Sequence, residues 1–168
     1  MVGNKIKEIT LMAALSCILF VQKIILSLLP NISLTVFLMI LYAKKLGFFK
    51  SSIIILVYII LDNLVVGSFN IIFTPFMILG WMLIPILTCT LFKKVDHPLW
   101  LGGLGIVCSF FYCWIYLIPN VIFLHLDPMY YLIQDLTFEI ILAVSSFLST
   151  IILYHPLSKV FDSYLINF

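Results

Sequence analysis

Residues 32–66 read ISLTVFLMILYAKKLGFFKSSIIILVYIILDNLVV, two apolar runs parted by Lys44-Lys45-Leu46-Gly47-Phe48-Phe49-Lys50. A helix needs about 20 mainly apolar residues to cross a hydrocarbon core of about 30 Å. Three lysines and a glycine between two such runs therefore mark a place where the chain leaves the membrane and turns back. Working outward gives six expected spans, at 9–29, 32–46, 52–66, 71–92, 99–118 and 136–154. Pro30-Asn31, Gly67-Ser68 with Asn70, Lys93 through Pro98, Pro119 through Pro128 and His155-Pro156 punctuate the rest. The second and third runs are short, so they extend with snorkelling lysines, lie in thinner membrane or are partly re-entrant. One kinked helix over 24–43 is the alternative at Pro30.

The lysines decide between these arrangements. Lys5 and Lys7 precede the first span, Lys44, Lys45 and Lys50 follow the second, Lys93 and Lys94 the fourth, and Lys159 the sixth. The connections after spans one, three and five have none. Cytoplasmic loops collect positive charge, so this alternation predicts an all-α bundle of six transmembrane helices with both termini cytoplasmic. Merging two runs would scatter the lysines to both faces.

Composition agrees. Of 168 residues, 64% are hydrophobic and 10% charged, with mean hydropathy +1.27, too little polar surface for a water-soluble globule or a disordered chain. One multi-pass domain over residues 1–168 in the cell membrane is the expectation. The lysine-led start resembles a signal peptide, but no small-x-small cleavage site follows, so it reads as a retained first helix. A net charge of +2 without a basic cluster argues against nucleic acid. Cys17, Cys89, Cys108 and Cys113 form no C-x-x-C and read as small apolar residues. His97, His125 and His155 are spread over different connections, so no metal site and no cofactor are expected. Nucleophile-elbow, metalloprotease and phosphate-loop motifs are missing, which argues against an enzyme.

The polar residues are distributed unevenly. Gln22 and Lys23 fall in the outer half of span one, Asp62 and Asn63 near the outer end of span three, and Asp135 and Glu139 one turn apart at the start of span six. Asn31, Asn70, Asn120, Tyr130, Tyr131 and Gln134 lie in the outer connections. A charge in hydrocarbon costs about 2.5–3.5 kcal/mol and usually faces a cavity or a partner. Two readings follow: these groups line a pocket, or Lys23 pairs with an acid to hold helices and Asp135 caps its helix. Trp81 and Trp114, with Tyr112 and Tyr116, serve either as pocket wall or as packing and an outer aromatic belt. Trp100 reads as an interfacial anchor. Ala13, Ser16 and Cys17 form a small-residue face on the first helix, suited to close packing within the bundle or against another protein. The Gly102-Gly103-Leu104-Gly105 run could do the same.

The chain resembles a substrate-binding S component of an energy-coupling factor (ECF) vitamin transporter. The resemblance rests on the lysine-led first helix with Ala13 and Ala14, on Leu29-Pro30-Asn31, Leu61-Asp62-Asn63, Gly80-Trp81 followed by Pro85, and Asp135-Leu-Thr-Phe-Glu139. It implies a vitamin-like substrate bound near the outer face. It also implies a membrane coupling protein and two cytoplasmic ATPase subunits as partners, docking through Ala13, Ala14 and Cys17, where the family's Ala-x-x-x-Ala pattern is degenerate. In this reading Asn31, Asp62, Asn63 and Asp135 supply hydrogen bonds, and Trp81, Trp114 and Tyr116 wall the pocket. Lys23 and Glu139 complete the set. The excess of acids over Lys23 favours a ligand that donates hydrogen bonds or carries positive charge. A cell-shape scaffold of the MreD type, or a small membrane enzyme using Asp135 or Glu139, are the other classes open at this point.

Overall fold

A computed structural model describes residues 2–29, 32–65 and 71–166. The described residues form five helices and no strand: α1 Val2–Leu26, α2 Thr35–Val65, α3 Phe73–Cys89, α4 Pro98–Leu124 and α5 Pro128–Ile166. Four of them, all but α3, are long and apolar enough to cross a membrane. The expectation of six separate helices is thus corrected to five, because the second and third expected spans belong to one element.

That element is not straight. Gly47 inside α2 has φ 79° and ψ 177°, outside helical geometry, so α2 consists of two limbs, 35–46 and 48–65. Contacts show which way the limbs run. Thr35 and Tyr58 line the same cavity, although 23 residues of straight helix would separate them by about 35 Å. Against α1, Gln22 meets Thr35 and the Leu15 carbonyl meets Tyr42, an antiparallel register. Ser16 meets the Ile54 carbonyl and Lys23 meets Asp62, a parallel one. The chain therefore reverses at Gly47, where the lysine-rich break lies.

The connections are tighter than expected. Pro119 and Pro156 do not end helices; they lie within α4 and α5. Asn120 is consequently helical and nearly buried, its Nδ2 donating to the Tyr116 carbonyl at 2.6 Å. The expected connection over 119–128 shrinks to a turn at 125–127. His125 ends α4 in the left-handed region (φ 52°), and Asp127 caps α5 by accepting from the Tyr130 N–H at 2.9 Å, with Pro128 at the first helical position. His97 caps α4 in the same way, its Nδ1 accepting from the Leu99 N–H. The missing N–H of a proline costs an interior helix one bond, which long apolar helices packed on both sides tolerate.

The core lies around the first limb of α2, where Val36 to Leu41 are almost wholly buried. α4 packs chiefly on α5, α3 on α2 and α4, and α1 on α2 alone. Glycines allow the α4–α5 approach: a Cβ on Gly102 would stand 2.8 Å from the Phe147 ring, and Gly105 faces Ser146, which also bonds Ser109 at 3.1 Å. The glycine run thus serves packing inside the bundle, except at Gly103, where an added Cβ would meet nothing within 4 Å among the described residues.

One end of the bundle gathers the lysines. Lys44 donates to the carbonyls of Phe92 and Lys93 and pairs with Asp96 at 2.9 Å, Lys45 pairs with Asp162 at 2.7 Å, and Lys50 with Glu8 at 3.1 Å. The hydrogen bond from Lys44 holds the Asp96 carboxyl below the usual carboxylate range. Lys23 stands apart, toward the other end.

Candidate functional site

Toward the end away from those lysines, α1, the α1–α2 connection, both limbs of α2, α3, α4 and α5 enclose a cavity of about 370 Å³. Its polar lining comes from Lys23, Ser27, Ser33, Thr35 and Tyr58, and its wall is the stacked pair Trp81–Tyr112, with ring centroids 3.8 Å apart. Local chemistry holds each part in place. The Ser33 hydroxyl accepts from the Thr35 N–H at 3.0 Å and so starts α2, while Ser145 ties the Ser33 backbone to α5 through both its N–H and its carbonyl. Gln22 donates to Thr35 Oγ1 at 2.7 Å and accepts from the Leu34 N–H at 3.1 Å, a structural brace for the same turn. Lys23 Nζ pairs with Asp62, whose carboxylate is buried behind it.

Trp81 carries the most informative atom of the cavity. The residue is 4% exposed and its Nε1 has no hydrogen-bond partner among the described residues. A buried N–H without a partner costs about 1–3 kcal/mol, so a site that keeps one is set up for an acceptor from outside the chain. Beside the Lys23 ammonium, the hydroxyls of Ser27 and Ser33 are donated to the Ile24 carbonyl and to Thr35 Oγ1, so their oxygens face the cavity with acceptor lone pairs to spare.

The expected site residues separate into three places. Lys23 and Trp81 line the cavity, with Asp62 immediately behind Lys23. Asn63 instead braces α2 to α3: its Nδ2 donates to the Ile59 carbonyl and its Oδ1 accepts from Thr74. Tyr116 stacks on Phe73 and reaches the Tyr112 hydroxyl, so it backs the wall without lining the cavity. Asp135, Glu139 and Trp114 lie at the α4–α5 seam. Asn31 and Asn70 fall outside the described residues. Asp135 and Glu139 thus lie away from the cavity, whose charged lining residue is Lys23. On α1, Ala13, Ala14 and Cys17 are exposed, while Ser16 is buried with its hydroxyl bonded to the Met12 carbonyl and near the Ile54 carbonyl. The small-residue face is therefore divided, and its outward half lies free of the bundle.

Ser33, Thr35, Tyr58 and Leu142 entered the cavity without a sequence signal, because hydroxyls and leucines within apolar runs look the same whether they face a cavity or a neighbour. Cys113 escaped for another reason: its proximity to Asp135 and Glu139 exists only once α4 packs on α5.

No family model, no curated protein and no solved structure matches this chain significantly.

Gly80 keeps the aromatic wall in register. A Cβ there would stand 2.8 Å from Tyr112 Cδ2, and that ring is held between Trp81 and Tyr116. Gly80→Ala is expected to cost about 1–3 kcal/mol through overpacking. The measurement is the unfolding midpoint in detergent, with Gly103→Ala as the unhindered control. Equal midpoints for the two variants would refute the packing role.

Proposed function

We propose that this protein is the substrate-binding component of an energy-coupling factor type importer, taking up a vitamin or related micronutrient. The observation that supports it best is the cavity toward one end of the bundle, lined by Lys23 and by the ring of Trp81. Sites for small molecules are concave, mostly apolar and furnished with a few convergent polar groups, and this one fits that description. This lining favours a ligand with an aromatic or apolar body and a carboxylate or carbonyl acceptor. Lys23 meets the acceptor, and the oxygens of Ser27 and Ser33, whose protons are donated within the protein, accept from any N–H or O–H the ligand carries.

In this reading the lysine-rich end is cytoplasmic, by the charge bias of membrane loops. The limbs of α2 then cross separately, giving six passes with both termini inside and the cavity toward the exterior. The limb over 35–46 is only about 18 Å long, which local thinning and snorkelling lysines accommodate. Transport energy comes from outside the chain, through a coupling protein and two ATPase subunits. The exposed half of the α1 small-residue face, Ala13, Ala14 and Cys17, permits the close helix approach that such docking requires.

The test is ligand capture. Protein purified from membranes is expected to carry a small molecule visible by native mass spectrometry, and carboxylate-bearing vitamins are expected to quench tryptophan fluorescence. Lys23→Met should weaken that binding by about ten- to a hundredfold, the worth of a charge-assisted hydrogen bond, and Trp81→Phe by about fivefold. Absence of both a carried molecule and a fluorescence response would leave a scaffold role as the better account.

A further inference from the structure

Away from the cavity, one thiol and two carboxylates meet at the seam between α4 and α5. Sγ of Cys113 and one carboxylate oxygen each from Asp135 and Glu139 lie within 4.8 Å of one another. Asp135 and Glu139 are one turn apart on α5 and so share a face, and Cys113 projects from α4 toward them. Glu139 is 2% exposed, Cys113 is 8% exposed, and Asp135 is half-buried. The second observation is an orphaned atom: Glu139 Oε1 is buried and has no hydrogen-bond partner among the described residues. Trp114 interacts with the same carboxylate, and an apolar groove of about 510 Å³ lined by Phe110, Leu117 and Ile133 adjoins it.

Two carboxylates at this separation in apolar surroundings repel each other when both are ionised, and Lys23, Lys44, Lys45 and Lys50 all pair with other acids. The cluster therefore calls for positive charge from elsewhere. We propose that Cys113, Asp135 and Glu139 form a binding site for a divalent transition-metal ion of the zinc class, separate from the cavity at Lys23 and Trp81. The donor set selects the ion. A thiolate beside carboxylates suits borderline ions such as Zn²⁺ or Co²⁺, whereas Mg²⁺ and Ca²⁺ prefer oxygen alone. Three protein donors with a fourth position free is the arrangement of an open site. A tetrahedral ion with bonds of about 2.0–2.3 Å sets its donors about 3.3–3.6 Å apart, so the side chains close by up to about 1.5 Å around it. Binding releases the thiol proton, and the half-buried Asp135 is the first contact from the more open side.

Cobalt(II) serves as the probe, because thiolate ligation gives it an intense near-ultraviolet charge-transfer band. Full-length protein in detergent is expected to bind about one Co²⁺ with that band, to exchange it for Zn²⁺, and to ignore excess Mg²⁺ and Ca²⁺. Cys113→Ser should abolish the band. Glu139→Gln and Asp135→Asn should each weaken Co²⁺ binding by more than about tenfold, since even outer-shell partners of metal ligands are worth about 10–100-fold. Cys108→Ser, in a buried thiol outside the cluster, should change nothing, and the elution volume of each variant reports folding. Binding without the band, a band that persists in Cys113→Ser, or equal competition by Ca²⁺ would each overturn the assignment. None of these results bears on ligand capture by the cavity.

Discussion

Gly47→Ala is expected to lower the stability of the bundle by about 1–3 kcal/mol although no atom stands in the way of the new methyl group. The cost is conformational. At φ 79° and ψ 177° the backbone occupies a region essentially reserved for glycine, because any Cβ there meets its own peptide groups. Alanine also favours helix over glycine by about 1 kcal/mol, so the substitution rewards the straight form of α2 that the fold must avoid. Straightening would separate Thr35 from Tyr58 and remove Lys23 from Asp62, since α1 holds one limb at each contact. The expected readout is a lower unfolding midpoint in detergent, against an unchanged or raised midpoint for Gly103→Ala. A wild-type midpoint for Gly47→Ala would mean that the reversal does not depend on this conformation.

The second large effect concerns Lys23 and Asp62. The lysine side chain is 35% exposed and the carboxylate 9%. Removing either partner leaves a charge behind, but the two remainders differ. An unpaired Lys23 can turn into the cavity and keep its hydration, whereas an unpaired Asp62 is left in apolar surroundings. Lys23→Met is therefore expected to cost about 3–5 kcal/mol and Asp62→Asn distinctly less. The double variant Lys23→Met with Asp62→Leu should recover most of the loss, because it removes both charges together. Unfolding midpoints without added ligand decide the matter. A double variant no more stable than the worse single one would show that the pair contributes through shape rather than charge.

Much of this fold is legible in the sequence because membranes leave few choices. Apolar runs, the lysines between them and Gly47 were enough to locate the segments and the reversal. Proline proved a poor boundary marker: Pro119, which is buried, and Pro156, which is exposed, both stand inside helices that continue past one lost hydrogen bond. The cavity lining was legible at Lys23 and Trp81, and the ion pair at Lys23 and Asp62, since their polarity is expensive in hydrocarbon and so needs a reason. It was not legible at Asp135 and Glu139, where the same expense led to the wrong neighbour. Depth along a helix can be counted from sequence; the helix face turned toward a given partner depends on packing angles that hydropathy does not encode. Hydroxyls such as Thr35 and Ser33 carry still less signal, since their cost in apolar surroundings is met by a nearby carbonyl or another hydroxyl.

Past Pro156 the last helix runs under the reversal of α2, with Phe161 against the Tyr42 ring and Asp162 on Lys45. Synthesis proceeds from the amino end, so the hairpin around Gly47 emerges from the ribosome more than a hundred residues before its clamp. Until then the turn is sustained by local contacts, by α1 and, once residues 89–96 have emerged, by the grip of Lys44 on Phe92, Lys93 and Asp96, so the lysine-side seal closes in stages.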